Sequence, residues 1–227
     1  MHSTLQAPDP FKPIDQRTLR DTVTNTVRQA IVGGTLKPGE QINQVEVASK
    51  LHVSRGPLRE ALRQLEEEGL VLSLPHKGTF VTEITAADIE EVYSIRRVLE
   101  NLAIQRAVEH ATDAELSDLS EIASQMARAA EVPDLSRLRA LDHEFHLTIC
   151  KCAHHQLLLQ LWKSIEVRVR RVLALRHGIY KDPRDIVGSH PDILRTIQAR
   201  DVARATALLD THIREAGEHL LAAWLNA

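Results

Sequence analysis

The sequence predicts a mainly α-helical protein, in which an N-terminal winged helix-turn-helix is followed by an all-α antiparallel bundle of six helices. Three observations lead to this fold class. A helix with arginines on one face occupies 54–70, two short apolar segments around a turn follow it, and beyond residue 84 the helical pattern has only short breaks. With 227 residues, the chain suits two modest domains. We expect a flexible tail over 1–14, the winged domain over 15–83 and the helical domain over 84–227.

The segment SRGPLREALRQLEEEGL, residues 54–70, carries the strongest helix signals. Ser54 is a suitable N-cap, because its hydroxyl can accept a backbone N–H of the first turn, and Gly69 suits a left-handed residue at the other end. Arg55 and Arg59 lie one turn apart on one face. This helix fits the major groove of DNA, although an ordinary amphipathic helix with solvated arginines has the same pattern. The apolar residues at core spacing are Leu58, Ala61, Leu62 and Leu65.

The neighbouring segments supply the rest of a winged helix-turn-helix. Helices are predicted over 19–32 and 43–51, and His52 lies in the tight turn before the arginine-bearing helix. The apolar stretch after Gly69 and the stretch 79–81 are typical of two strands. Between them the turn carries His76, Lys77 and Gly78 at its tip. Double-stranded DNA is the partner that this arrangement indicates.

Residues 19–81 combine a PGE turn with the motifs VSRGPLREAL, EGLV and KGTFV. In these motifs the stretch resembles the DNA-binding domain of the GntR transcriptional regulators. His52 departs from the resemblance, since glycine is usual in that turn. The resemblance implies DNA contacts at the helix N-terminus and the wing tip, and with the neighbouring wing residues the predicted set is Ser54, Arg55, Arg59, His76, Lys77, Gly78 and Thr79.

Composition and charge set bounds on the function. The net charge is −3, and 1–84 hold equal numbers of basic and acidic residues, so DNA binding would depend on how the charges segregate. No apolar run is long enough to span a membrane, and the start of the chain has no signal-peptide core. Cys150 and Cys152 are expected to be two buried thiols of a cytoplasmic protein rather than a redox switch.

The second half of the chain is expected to be a helical bundle. Thr85 and Asp88 form a capping-box pattern at its start. Its predicted helices cover 86–110, 113–131, 134–152, 155–178, 184–199 and 201–225.

Four polar side chains fall on apolar faces of these helices. Asp142 and His146 adjoin an apolar stripe at i, i+4 spacing, and His190 and His212 lie on apolar faces of the last two helices. Burying such groups without partners costs several kcal/mol, so we expect them to meet one another or a metal. Histidine and aspartate sets suit zinc, nickel, manganese or iron. The alternative is that each histidine is an ordinary core residue with its hydrogen bonds satisfied.

The six-helix domain, with its DHEFH motif at 142–146 and its two later histidines, resembles the FCD domain of FadR-type GntR regulators. The resemblance implies a divalent metal, most naturally zinc, held by Asp142, His146, His190 and His212. It also implies a small organic acid as effector and a homodimer, and the number of helices indicates the VanR-like subgroup. Pro191 directly after His190 predicts either a helix start or a kink at that point.

Two arginines are candidates for binding the effector. Arg96 begins an i, i+4 pair with Glu100, which is either an ordinary surface ion pair or an arginine that reaches inward to a carboxylate. Arg168, on an apolar stripe of the fourth bundle helix, is a similar candidate.

Taken together, the residues and the resemblances predict a homodimeric transcriptional regulator, most naturally a repressor, that reads a palindromic operator and responds to an organic acid bound at its metal. Two alternatives remain at this point. The first is a metal-dependent hydrolase, and the second is a DNA-binding protein whose metal is purely structural.

Overall fold

The structure is a computed structural model that describes residues 17–132, 135–179 and 182–226, with the backbone alone at 17–18 and 174–179. The predicted tail over 1–14 lies outside the described residues. In chain order the elements are α1 (Arg17–Val32), α2 (Gln44–Lys50), α3 (Arg55–Glu67), β1 (Val71–Leu74), β2 (Gly78–Val81), α4 (Ala86–His110), α5 (Asp113–Glu131), α6 (Leu135–Cys152), α7 (Gln156–Ile179), α8 (Arg184–Val187), α9 (His190–Gln198) and α10 (Val202–Leu225). The predicted fold class is confirmed.

The head consists of α1, α2, α3 and the two strands, which share one aliphatic core. The strands pair antiparallel, with Val71 opposite Val81, and both valines are buried. Burying a single leucine or valine side chain stabilises the fold by about 1.5–3 kcal/mol, so this core holds α3 firmly against α1. The residues of α3 that were predicted to face the core are all buried there, namely Leu58, Ala61, Leu62 and Leu65.

The turn and cap before α3 differ in one respect from the prediction. His52 adopts a left-handed backbone conformation, with φ of 52°, where glycine is usual. Ser54 occupies the N-cap position, but its hydroxyl makes no capping hydrogen bond, and the residue is exposed. The prediction of a capping hydrogen bond from Ser54 is therefore wrong, and this residue is exposed.

The bundle is organised around α4, which packs against α10, α6 and α7. Its predicted capping box is present, because Thr85 Oγ1 accepts the Asp88 N–H while the Asp88 carboxylate accepts the Thr85 N–H. At Gly217 in α10, an added Cβ would lie 2.8 Å from the Tyr93 ring, so α10 and α4 approach more closely than alanine would allow. This close contact fixes the helices that carry the buried polar residues.

The prediction of a single bundle helix over 184–199 is wrong. It is two helices, α8 and α9, separated by Gly188 and Ser189. Gly188 has a φ of 36°, which a helix interior does not allow, and Pro191 lies in the first turn of α9, where its missing N–H costs little. Because the number of helices changes, the VanR-like subgroup stays a prediction.

Helix α7 joins the two parts of the molecule. Val167 packs against the aliphatic core of the head. Four residues later, Arg171 is buried and donates a 2.6 Å hydrogen bond to the carbonyl of Thr82, just after the wing. The head therefore rests directly on α7. Within the described parts of the chain, every helix is too short or too polar to cross a membrane.

Both cysteines are buried free thiols, as predicted. Burial raises the pKa of Cys152 to about 11 and raises that of Cys150 as well. Reactive thiolates have lowered pKa values, so neither side chain is suited to redox chemistry.

Candidate DNA-binding surface and metal centre

The first candidate site is the exposed face of α3 and the tip of the wing. Ser54, Arg55 and Arg59 are exposed at the N-terminal half of α3, while the opposite face is buried in the head. Their side chains therefore point away from the protein, as an element that enters the major groove requires.

At the wing tip, His76 and Lys77 are exposed. Gly78 has a φ of 110°, and an added Cβ would lie 2.7 Å from Nε2 of Gln41. That amide in turn donates to the carbonyl of Lys77, at 2.7 Å. Glycine at this position is thus required by the turn itself, whether or not DNA is bound.

Thr79 was predicted to contact DNA, but its side chain does not face outward. It is buried, and its hydroxyl lies 3.2 Å from the donating amide of Gln44. The pleat of β2 explains this, because side chains two apart share a face and Val81 points into the core. The same alternation, read from the sequence, would have placed Thr79 inside.

The second candidate site lies in the middle of the bundle. His146 of α6, His190 of α9 and His212 of α10 each offer a ligand atom, and these atoms lie within 4.8 Å of one another. His146 and His190 are fully buried. The three imidazoles predicted from separate helices are therefore brought together.

Each imidazole is oriented by a partner at Nδ1. Nδ1 of His190 donates to the carbonyl of Val187, at 2.7 Å, and Nδ1 of His146 lies 2.7 Å from the Glu100 carboxylate. Nδ1 of His212 lies 2.8 Å from the Ser189 hydroxyl, which can accept its hydrogen. A carbonyl or an ionised carboxylate accepts only, so Nδ1 of His146 and of His190 carries a hydrogen, and Nε2 is the ring nitrogen that can act as a metal ligand. Metal-binding histidines are held in this way.

Asp142 completes the predicted set. It is fully buried on α6, and its Oδ1 lies 3.2 Å from Nε2 of His190. Three imidazole nitrogens and one carboxylate oxygen fit a divalent transition metal. The structure supports this fit, since Nε2 of His146 is buried and makes no hydrogen bond to any residue that the structure describes.

Glu100 is the functional residue that the sequence analysis missed. Its pair with Arg96 is not on the surface, because both side chains are almost completely buried, with Nε and Oε1 2.7 Å apart. Trp162 of α7 donates to the same carboxylate oxygen, at 3.2 Å. Burial would raise the pKa of Glu100, but the charges of Arg96 and His146 and the hydrogen bonds with both residues together outweigh it, and the pKa is lowered to about 2. Glu100 is therefore an ionised acceptor for His146.

Arg96 reaches inward, which was one of its two predicted placements. Burial alone would lower its pKa, yet Glu100, Tyr93 and Asp142 together raise it, so the guanidinium keeps its charge. Its Nη2 atom is buried and makes no hydrogen bond within the described parts of the chain. A charged donor without an acceptor thus lies in the same interior as Asp142.

Arg168 lies away from the histidine cluster. Its exposed guanidinium lies beside Gly69 and lines a cavity between the head and the bundle. Neither Arg96 nor a histidine of the cluster lines this cavity, and the role of Arg168 in effector binding stays a prediction.

Comparison with known protein families matches both parts of the chain. The family described as bacterial regulatory proteins, gntR family, matches residues 19–81, and the FCD domain matches residues 91–215, more than half of the chain. The chain belongs to the GntR family of regulators and carries an FCD domain.

Relatives of this GntR regulator span almost its whole length. The HTH-type transcriptional repressor RspR of Escherichia coli (strain K12) is 28% identical over 210 residues, which cover 92% of this chain and 90% of the relative. The gluconate operon transcriptional repressor of Bacillus subtilis (strain 168) is 25% identical over 222 residues, with 96% and 91% covered.

The comparison with solved structures also finds regulators with the fold of this chain. A GntR regulator from Rhodococcus sp. RHA1 superposes with a TM-score of 0.78 at 26% identity, over 91% of this chain and 99% of that chain. McbR/YncC of E. coli has the same fold, with a TM-score of 0.78 at 23% identity, over 91% of this chain and 98% of that chain. These relatives are regulators and not enzymes. The GntR regulator is thus a DNA-binding transcriptional regulator, and the hydrolase alternative is not supported.

Proposed function

We propose that this GntR regulator is a homodimeric repressor whose hold on a palindromic operator changes when a small organic acid binds at a metal in the FCD domain. The observation that carries the proposal is the convergence of three oriented imidazoles and one buried carboxylate in the bundle. Chromosomal DNA as the partner supports a location in the cytoplasm.

Asp142, His146, His190 and His212 would hold the metal. Zinc is the first choice because it favours imidazole nitrogens with a carboxylate, while nickel, manganese and iron are the alternatives. When bound, such an ion supplies positive charge that can attract the carboxylate of an acid. Burial and the charge of Arg96 together lower the pKa of His146 further than Glu100 and Asp142 raise it, which favours the neutral imidazole that can act as a ligand.

Arg96 is the residue we propose to meet the effector. A buried guanidinium nitrogen without an acceptor is costly, so a ligand carboxylate at Nη2 would relieve that cost. A hydrogen bond to a charged group contributes about 1.5–3 kcal/mol. Glu100 holds the other edge of the guanidinium, and the same carboxylate orients His146. One residue therefore positions both the effector-binding arginine and a metal ligand.

A dimer is supported by an apolar stripe on the outside of the bundle. Ile95, Val98 and Leu102 follow one face of α4 and are exposed, with Val98 at 66%. Leu157 and Leu161 on the adjacent helix α7 are exposed as well. An exposed apolar stripe of this length is typical of an interaction surface, and a second copy with the same stripe would cover it symmetrically.

Two heads in such a dimer would read two half-sites. Arg55 and Arg59 would enter the major groove, where an arginine that holds guanine by two hydrogen bonds discriminates by about 1–3 kcal/mol. The outward Ser54 hydroxyl, His76, Lys77 and the backbone at Gly78 would contact the phosphate backbone.

Helix α7 offers a route from the effector to the heads. Trp162 donates to Glu100 inside the bundle, and further along the same helix Val167 and Arg171 contact the head. We propose that the effector shifts α7 through this contact and so changes the spacing of the two recognition helices. It can shift that equilibrium only by its difference in affinity for the two arrangements.

Repression is supported by the names of the relatives, since RspR and the gluconate operon protein are both named repressors. The rival function is a DNA-binding protein with a purely structural metal. A panel of small carboxylates, titrated against labelled operator with metal-loaded and with chelator-treated protein, separates the two. If an acid changes operator affinity only when metal is present, the proposal holds. If metal raises the melting temperature while no acid alters operator affinity, the metal is structural.

A further inference from the structure

A cavity of about 400 Å³ lies between the head and the bundle, away from the histidines. Its walls come from four parts of the chain: Gly69 just after α3, the connection after the wing at Thr82 and Ile84, one face of α4 and one face of α7. This volume is within the range of small-molecule sites, which is about 300–1,000 Å³.

The wall of the cavity is mostly apolar. Five aliphatic side chains contribute to it, and burying a ligand against them would be favourable in proportion to the apolar area removed from water. They are Ile84, Val92, Ile95, Ile165 and Val172.

Of the two arginines in the wall, Arg168 is the one available to a ligand. Arg171 already donates to the carbonyl of Thr82, and Asp88 is held by the capping box with Thr85. Within the described parts of the chain, no hydrogen bond or salt bridge involves Arg168. An arginine above an apolar wall is suited to a carboxylate that carries an apolar body.

The acidic residues of the wall restrict the ligand further. Glu83 and Glu91 are exposed carboxylates at the same cavity, and they would repel a second negative charge. We propose that this cavity is a second ligand site, specific for small monocarboxylates with an apolar chain, whose carboxylate is bound by Arg168. The site is separate from the proposed metal-dependent effector site. A ligand there touches both head and bundle, so its binding favours one orientation of the head.

Calorimetric titration of the full-length protein with hexanoate tests the proposal, with adipate as the dicarboxylate of equal chain length. We expect hexanoate to bind once per chain and adipate at least tenfold more weakly. Arg168→Gln should weaken hexanoate binding at least tenfold, whereas Arg170→Gln, on the same helix but outside the cavity wall, should not.

The double variant His190→Ala, His212→Ala distinguishes the two sites. Hexanoate binding should persist in it, and this holds even if the metal-dependent function proves wrong. The proposal is overturned if hexanoate gives no saturable heat at millimolar concentration, if the folded Arg168→Gln protein binds it as well as wild type, or if binding disappears in the double variant while circular dichroism shows an intact fold.

Discussion

The carboxylate of Glu100 lies 2.7 Å from Nδ1 of His146, although the two residues are 46 positions apart in the chain. The contact links α4 to the histidine cluster, and it also brings Arg96 and Trp162 to the same carboxylate. One carboxylate therefore joins the candidate metal centre, the candidate effector arginine and the helix that supports the head.

Replacing Glu100 by glutamine should weaken metal binding by about tenfold to a hundredfold, the usual effect of losing a partner that orients a metal-bound histidine. The variant should also be less stable, because Arg96 is then a buried charge without its counter-ion. Competition with a chromophoric chelator measures the affinity of the folded fraction. Glu166→Gln is the matched control, since Glu166 pairs with His143 outside the cluster. Equal metal affinity in the two variants would contradict the role of Glu100.

The Ser189→Ala variant tests whether the Ser189 hydroxyl caps α9 or orients His212 as a metal ligand. The Ser189 hydroxyl makes no capping bond to α9 and instead lies 2.8 Å from Nδ1 of His212. We expect metal affinity to fall by about tenfold, while the free energy of unfolding of the metal-free protein changes by less than the roughly 1 kcal/mol typical of a lost cap. Ser164→Ala, at a serine that bonds to its own helix, is the control. A large loss of metal-free stability would show that the hydroxyl serves the helix instead.

Sequence patterns predicted the fold of the head well, because the residues that form each pattern lie close together in the chain. Periodic apolar residues placed Leu58 and Leu65 in the core, and the positions of Asp142 and the three histidines followed from the same periodicity. A contact between residues far apart in the chain, such as Glu100 with His146, leaves no such pattern. The break between α8 and α9 did leave a signal, in the sequence Gly-Ser-His-Pro at 188–191. That break supplies the Val187 carbonyl and the Ser189 hydroxyl that orient two imidazoles.

Arg55→Ala should reduce specific operator binding by roughly tenfold to a hundredfold per half-site, because one pair of hydrogen bonds to a base is lost. Fold and dimer should be unchanged, since Arg55 is exposed. Mobility shifts with the operator and with a scrambled site measure the ratio of affinities. Arg204→Ala, at an exposed arginine of α10, is the control. An undiminished ratio for Arg55→Ala would exclude base recognition by this residue.

Val98→Glu should convert the proposed dimer to a monomer, because it places a charge in the middle of the apolar stripe on α4. The monomer should keep its helical content, since Val98 is exposed and supports no core. Val132→Glu offers a control of nearly equal exposure, 63% against 66%, outside that stripe. Sedimentation velocity should show a monomer only for Val98→Glu. A Val98→Glu protein that remains dimeric would move the interface to another face.

The metal content of the purified protein tests the central claim most directly. Elemental analysis of wild type, loaded with a single divalent metal and desalted, should find one ion per chain, and His190→Ala with His212→Ala should find none, because half of the four ligands are gone. The wild-type protein should also melt at a higher temperature with metal than after chelation, as ligand binding to the folded state requires. Full occupancy in the double variant, or a metal-free wild type after loading, would contradict the account.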